Sequence, residues 1–445
     1  MVFLIVLLAS LLIAFALRNK LEYAVVAVIA ARYFIPSSAS VDFVPFLDPA
    51  VYLLAAVYLV QLIWNFNQTV RAFYFSRIET FVVLALGLLA VANIFGQGVA
   101  PLSTVSDFLR VYLAPFLLYV LVRRLCIQGD KKALVVVYSY LGFAVIQAVM
   151  AIIQDQQGAL VVWESAFRRL WAGVDGAFGR SQGFVEFGLG LGTSMIPAIA
   201  FCAWLRSAVL KFSLSLLFLY AMVLSSSRAA LIVGIVLVVV ITFIAAGSLL
   251  RNVLMLGAMA ATAVIFVSAG GAEKLIAKIA DDNASTAKRL EAYSWFVENV
   301  NSFLLFGYQG NRDFRGSRTL SSSLENAFFM AGANYGAIFA LLLVGLLLFI
   351  ALRAFAYGKF AVVAGIALLG LLAVESTNSG FASLSFSGYA LWMLAGVCSY
   401  GAWRKLPWPV VESGAPLAAP EPTGMQSPLP ASRKEAPYRR YLTEP

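Results

Sequence analysis

The chain has 445 residues, of which 62% are hydrophobic and 12% charged, with a mean hydropathy of +0.88. Soluble domains carry about 25% charged residues, so too little polar surface is present to cover a water-soluble globule; the composition is that of a membrane protein. The net charge of +10 falls mainly in short connections, where it sets topology rather than binding nucleic acid.

The apolar runs are continuous, which excludes the alternating strands of a β-barrel. At about 20 apolar residues per span, the length allows about 12 or 13 transmembrane helices in an all-α polytopic bundle. The runs fall near 1–17, 21–36, 49–65, 79–96, 107–122, 133–153, 184–205, 212–225, 229–249, 252–269, 327–352, 360–375 and 385–403. The count is 12 if one short early run is re-entrant. The first run, Met1–Leu17, lacks the charged start and small-residue exit of a cleavable signal peptide.

One set of connections is basic: Arg18 and Lys20, Arg71 and Arg77, Arg123 to Lys132, Arg206 and Lys211, Arg251, Arg353 and Lys359, Arg404 and Lys405. The alternating set near 37–48, 97–106 and 376–384 has no Lys or Arg. The positive-inside rule then makes the basic set cytoplasmic. Two longer loops, 154–183 and 270–326, fall outside and are expected to hold short amphipathic helices. The segment 404–445 holds nine of the 15 prolines and no helical period, the composition of a disordered cytoplasmic tail.

Several chemistries are excluded. With no histidine, no histidine base, relay or metal ligand exists. Cys126, Cys202 and Cys398 form no CxxC pair and no disulfide framework. No GxxxxGK[ST] phosphate loop occurs. Neither metal nor cofactor is expected.

Charge within apolar helices is costly, so the charged residues at the outer edge stand out: Arg32, Arg110, Arg180, Glu186, Arg228, Glu325 and Glu375. In the first loop, Val162–Trp171 mixes aromatics with Arg168 and Arg169, suiting a helix in the headgroup layer. Arg180-Ser181-Gln182-Gly183-Phe184 follows, entering a span with Gly188, Gly190 and Gly192, a pattern of close helix packing. Ser225-Ser226-Ser227-Arg228 opens another span. A cation there opposes the helix dipole; either an anionic partner such as phosphate or an internal pair with Glu186 or Glu375 accounts for it. In the second loop, Lys288 and Arg289 precede Leu290, Tyr293, Phe296 or Val297, and Val300, the apolar stripe of an amphipathic helix. Arg312, Arg315 and Arg318 recur at intervals of three and form either a solvated face or an anion contact. Glu325 and Asn326 then open the next span.

Three of these pieces, in this order, resemble the O-antigen ligase and O-antigen polymerase superfamily of bacterial membrane glycosyltransferases. They are Arg180-x-x-Gly183-Phe184; Ser227-Arg228-Ala229-Ala230; and Lys288-Arg289 leading through Trp295 and Gly307-x-x-Gly310 to Asn326 and Gly336. The resemblance covers about residues 155–350. It implies a GT-C-like helical bundle in the bacterial inner membrane, acting at the periplasmic face without metal or nucleotide sugar. The donor would be an oligosaccharide on polyprenyl pyrophosphate, held by Arg180, Arg228 and Arg289. Lys288, Arg312, Arg315, Arg318 and Asn326 complete the candidate substrate-binding set, with Arg228 also catalytic. The ligase branch carries a histidine before the asparagine; here Glu325 fills that slot, which favours a polymerase of repeat units with Glu325 as general base. The partners implied are a glycan acceptor, membrane lipids, a chain-length regulator and a flippase. The alternatives are an O-antigen ligase or a protein O-oligosaccharyltransferase on the same donor, and a lipid-linked sugar transporter, although no repeat or charged mid-membrane path points to the last.

Overall fold

The computed structural model describes residues 2–37, 47–96, 101–128, 130–170, 180–244, 257, 283–307, 324–378 and 380–402. Among these every regular element is helical. Residues 1–406 cluster as one compact unit. The proposed tail and the run 252–269, apart from residue 257, lie outside the described residues.

In chain order the helices are α1 (Val2–Ala16), α2 (Leu21–Phe34), α3 (Pro49–Trp64), α4 (Phe66–Ala72), α5 (Arg77–Gly96), α6 (Pro101–Phe108), α7 (Ala114–Gln128), α8 (Asp130–Gln157) and α9 (Glu164–Leu170). There follow α10 (Gly188–Phe201), α11 (Ala208–Ser225), α12 (Arg228–Ile244), α13 (Asn283–Asn299), α14 (Ala327–Tyr335), α15 (Ala337–Ala354), α16 (Lys359–Glu375) and α17 (Phe386–Val397). Five segments are long and apolar enough to cross a membrane: Arg77–Phe95, Val105–Ile127, Lys131–Gln157, Ala208–Ser225 and Ala337–Ala354. Shorter apolar helices pack among them.

The α10 and α17 helices form the centre: every residue of α10 but Leu189 is buried, as is all of α17. In lipid no hydrophobic force draws helices together, so close crossings need small residues. A Cβ at Gly396 would lie 2.7 Å from Val122 Cβ, one at Gly365 2.7 Å from Ala351 O, and one at Gly192 2.8 Å from Ser227 Cβ. Lipid faces the opposite kind of surface, such as the exposed Phe81, Leu84, Leu88 and Phe95 of α5.

One expectation needs correction. The run 327–352 is not one helix: it breaks at Gly336, whose φ is +102°. The backbone of Leu305 passes where a Cβ would sit, and Ile338 N donates to Leu304 O at 3.1 Å, so the chain must turn there. The run 107–122 lies within the continuous span Val105–Ile127, which carries a π-turn over Leu109–Leu113. Pro115 supplies the cause, since it lacks an N–H and its ring would strike the carbonyl four residues back.

Candidate functional site

The Arg180–Phe184 segment is held from below by two glutamines of α8. Gln154 Oε1 accepts from Gln182 N at 3.0 Å and Gly183 N at 2.8 Å, while its Nε2 donates to Gly183 O at 3.0 Å. Gln147 donates to Gln182 O at 3.0 Å and accepts from Phe184 N at 2.9 Å. Gly183 is required: its φ is +64°, and a Cβ would lie 2.6 Å from Gln147 Nε2. The sequence reading passed over both glutamines. Their signal was two amides seven residues apart, hence on one face of an otherwise apolar span.

This segment meets the end of α11. Ser181 N donates to Leu224 O at 3.4 Å, and a Cβ at Gly188 would lie 2.9 Å from Arg180 Cβ and 3.2 Å from Ser225 O. The α11 helix ends at Ser226 in the left-handed region, and Ser227 N donates to Ser225 Oγ at 3.2 Å, turning the chain so that Arg228 begins α12. Arg180 and Arg228 thus flank one turn, and both are partly buried.

The α12 and α16 helices run alongside each other, with Val233 against Gly370. The two contact residues lie five positions from Arg228 and Glu375 respectively, so in this antiparallel pair both charges stand at the same end. Glu375 is fully buried, its Oε2 accepting from Phe381 N at 2.8 Å. Beside it, Ser387 and Thr193 share a 2.9 Å hydrogen bond between α17 and α10.

The α13 helix sits over that end. Tyr293 donates its hydroxyl to Ser376 O at 3.2 Å, and Arg289, one turn earlier, pairs with Glu325 through Nε–Oε2 at 2.8 Å. Both partners stay accessible, with 33% and 43% of their side-chain surface exposed. Glu325 does not open α14; Asn326 caps it, accepting from Phe328 N at 2.9 Å and Phe329 N at 3.1 Å. The buried stripe of α13 also differs from the expectation. Ala292 and Trp295 are buried, whereas Leu290 is 60% and Val297 67% exposed. Aromatic stacking decides the rotation: Phe296 stacks on Phe329 at 4.1 Å, and Trp295 on Phe303 at 6.0 Å. Asn93, also overlooked, links this cap to the bundle by accepting from Gly307 N and donating to Tyr335 O at 2.8 Å. Lys288 lies on α13, but its side chain is outside the described residues, as are Arg312, Arg315 and Arg318 entirely.

The other outer charges have carboxylate partners deep in the bundle. Arg32 pairs with Glu186 at 2.7 Å, both side chains about 97% buried. Arg110, on the π-turn, pairs with Asp48 at 2.9 Å. Ser37 ties the two pairs together, donating its N–H to Glu186 at 2.9 Å and its hydroxyl to Asp48 at 3.2 Å. These two arginines therefore belong to the framework.

Membrane-length apolar helices, small residues at their crossings and charges gathered at helix ends define a helical membrane protein. No family model and no curated protein matches the chain.

Proposed function

We propose that the protein is a metal-independent glycosyltransferase that polymerises lipid-pyrophosphate-linked oligosaccharide repeat units into a surface polysaccharide at the periplasmic face of the bacterial inner membrane. The observation that carries this reading is the accessible Arg289–Glu325 pair, seated over the end of the bundle where the elements bearing Arg180 and Arg228 also terminate. Guanidinium groups suit a diphosphate because they donate bidentate, charge-assisted hydrogen bonds and stay charged. That end is opposite the basic connections, so the positive-inside rule turns it outward.

The chemistry follows from the groups present. Arg180, Arg228 and Arg289 hold the pyrophosphate of the donor. An acceptor hydroxyl oxygen attacks the anomeric carbon and forms the new glycosidic bond. The bond from that carbon to the pyrophosphate oxygen breaks, and its electron pair leaves on the lipid pyrophosphate, whose charge the arginines stabilise. The hydroxyl proton passes to Glu325; its pair with Arg289 occupies Oε2, and Oε1 serves as acceptor. Asn326 fixes the approach of the segment by capping α14.

Purified protein supplied only with lipid-pyrophosphate oligosaccharide tests this directly. The expected product is longer lipid-linked glycan. A requirement for a lipid A core or a protein acceptor would make it a ligase or a protein transferase, and movement of intact substrate without new bonds would make it a transporter.

A further inference from the structure

The opposite, basic end of the bundle carries a second feature that glycosyl transfer does not use. A shallow crevice opens between α5, α7, α15 and the turn after α17, lined by Glu79, Arg123, Arg353, Tyr357 and Ser399 among others. Two guanidiniums face one carboxylate there. Arg353 pairs with Glu79 at 3.0 Å, which accounts for one positive charge. Arg123 is only 7% exposed, and its hydrogen bonds go to neutral carbonyls: Ala72 O at 3.2 Å and Tyr74 O at 3.1 Å. Among the described residues no carboxylate pairs with it. Burying a charge without a counter-charge is costly, so this corner has an unspent attraction for an anion.

The flanks say which kind of anion. Ile78 and Phe81 of α5 are 58% and 71% exposed, and Leu352 and Phe355 beside Arg353 are 62% and 48% exposed. These apolar side chains border the Glu79–Arg353 contact on two helices that pack together. Tyr74, 55% exposed, stands at the same level, as interfacial aromatics do. A phosphate at the mouth of the crevice with acyl chains along the α5 and α15 faces satisfies both the charge and the apolar surface. We infer that this crevice is a binding site for the headgroup phosphate of an anionic phospholipid, the class that enriches the cytoplasmic leaflet.

Thermal unfolding of the full-length protein in detergent, titrated with phosphatidylglycerol, phosphatidylcholine or inorganic phosphate, tests the site. Each variant's shift is measured from its own lipid-free midpoint. Phosphatidylglycerol should raise the midpoint, with little effect from phosphatidylcholine or phosphate. Removing one charge by Arg353→Gln should weaken the apparent affinity about fivefold, Glu79→Gln should strengthen it about fivefold, and Arg71→Gln, off the crevice, should leave it unchanged. Equal effects of phosphatidylglycerol and phosphatidylcholine, or equal losses from Arg71→Gln and Arg353→Gln, would overturn the inference. Stabilisation by inorganic phosphate without any by lipid would overturn the headgroup as its source.

Discussion

Two guanidinium–carboxylate pairs of the same chemistry and nearly the same length do different work. Arg32–Glu186, at 2.7 Å, is almost wholly buried and embedded in further bonds from the Ser37 and Phe386 N–H groups. Arg289–Glu325, at 2.8 Å, keeps a third or more of each side chain accessible and joins a peripheral helix to a helix cap. Burial makes the first a part of the framework, because opening it would strand a charge in a medium that cannot solvate it. Water screens the second, so it can open at little cost, as the proposed hold on a diphosphate requires. Charge at the outer edge is therefore not by itself a sign of a site; its burial and its partners divide the two cases.

That contrast can be broken at its strongest point first. Arg32→Gln leaves Glu186 buried without its cation and should cost about 3–5 kcal/mol, seen as loss of folded protein in detergent unfolding. The paired replacement Arg32→Met with Glu186→Leu should recover part of it, since the Ser37 and Phe386 N–H groups then lose their acceptor, and a double variant no more stable than Arg32→Gln would contradict the stranded charge as the cause. Gln154→Leu should come next. It removes the bonds to Gln182 and Gly183, and leaving those buried backbone groups short of a partner should cost about 1–3 kcal/mol after local relaxation. Because those bonds fix the Arg180 segment, product formation should fall further than stability does. Gly192→Ala forces a Cβ to 2.8 Å from Ser227 Cβ and should cost about 1–3 kcal/mol by overpacking, measurable in the same unfolding assay. Glu325→Gln is the mildest for the fold, under about 1 kcal/mol for an exposed pair, yet it should remove polymer in cells. Full polymer length with normal protein levels would eliminate Glu325 as the base.

Much of the bundle was legible because hydropathy is a local property. The runs near 21–36, 49–65, 212–225 and 360–375 coincide closely with α2, α3, α11 and α16. The break at Gly336 was not, because its positive φ answers a backbone, Leu304–Phe306, that arrives from a separate part of the chain. The stripe of α13 was misjudged for a related reason. Leu290 and Val297 have the right spacing, but Trp295 and Phe296 find aromatic partners only in the folded chain. At the site, sequence order pointed to Arg180, Arg228, Arg289 and Glu325 but not to how each is held. Glu186 was noted as a charge, and its pairing with Arg32 is a long-range fact. Gln147 and Gln154 carry no charge, so a pattern of charged residues at helix ends does not point to them.

The account stands on Arg289 acting on substrate rather than on the fold. Turnover of lipid-pyrophosphate oligosaccharide by reconstituted Arg289→Gln, scaled to the amount of folded protein, tests it most directly. Losing one preorganised donor to a developing anion costs about a hundredfold or more in rate, so at least that fall is expected, with an unfolding midpoint close to the parent's. Turnover equal to the parent's would contradict it.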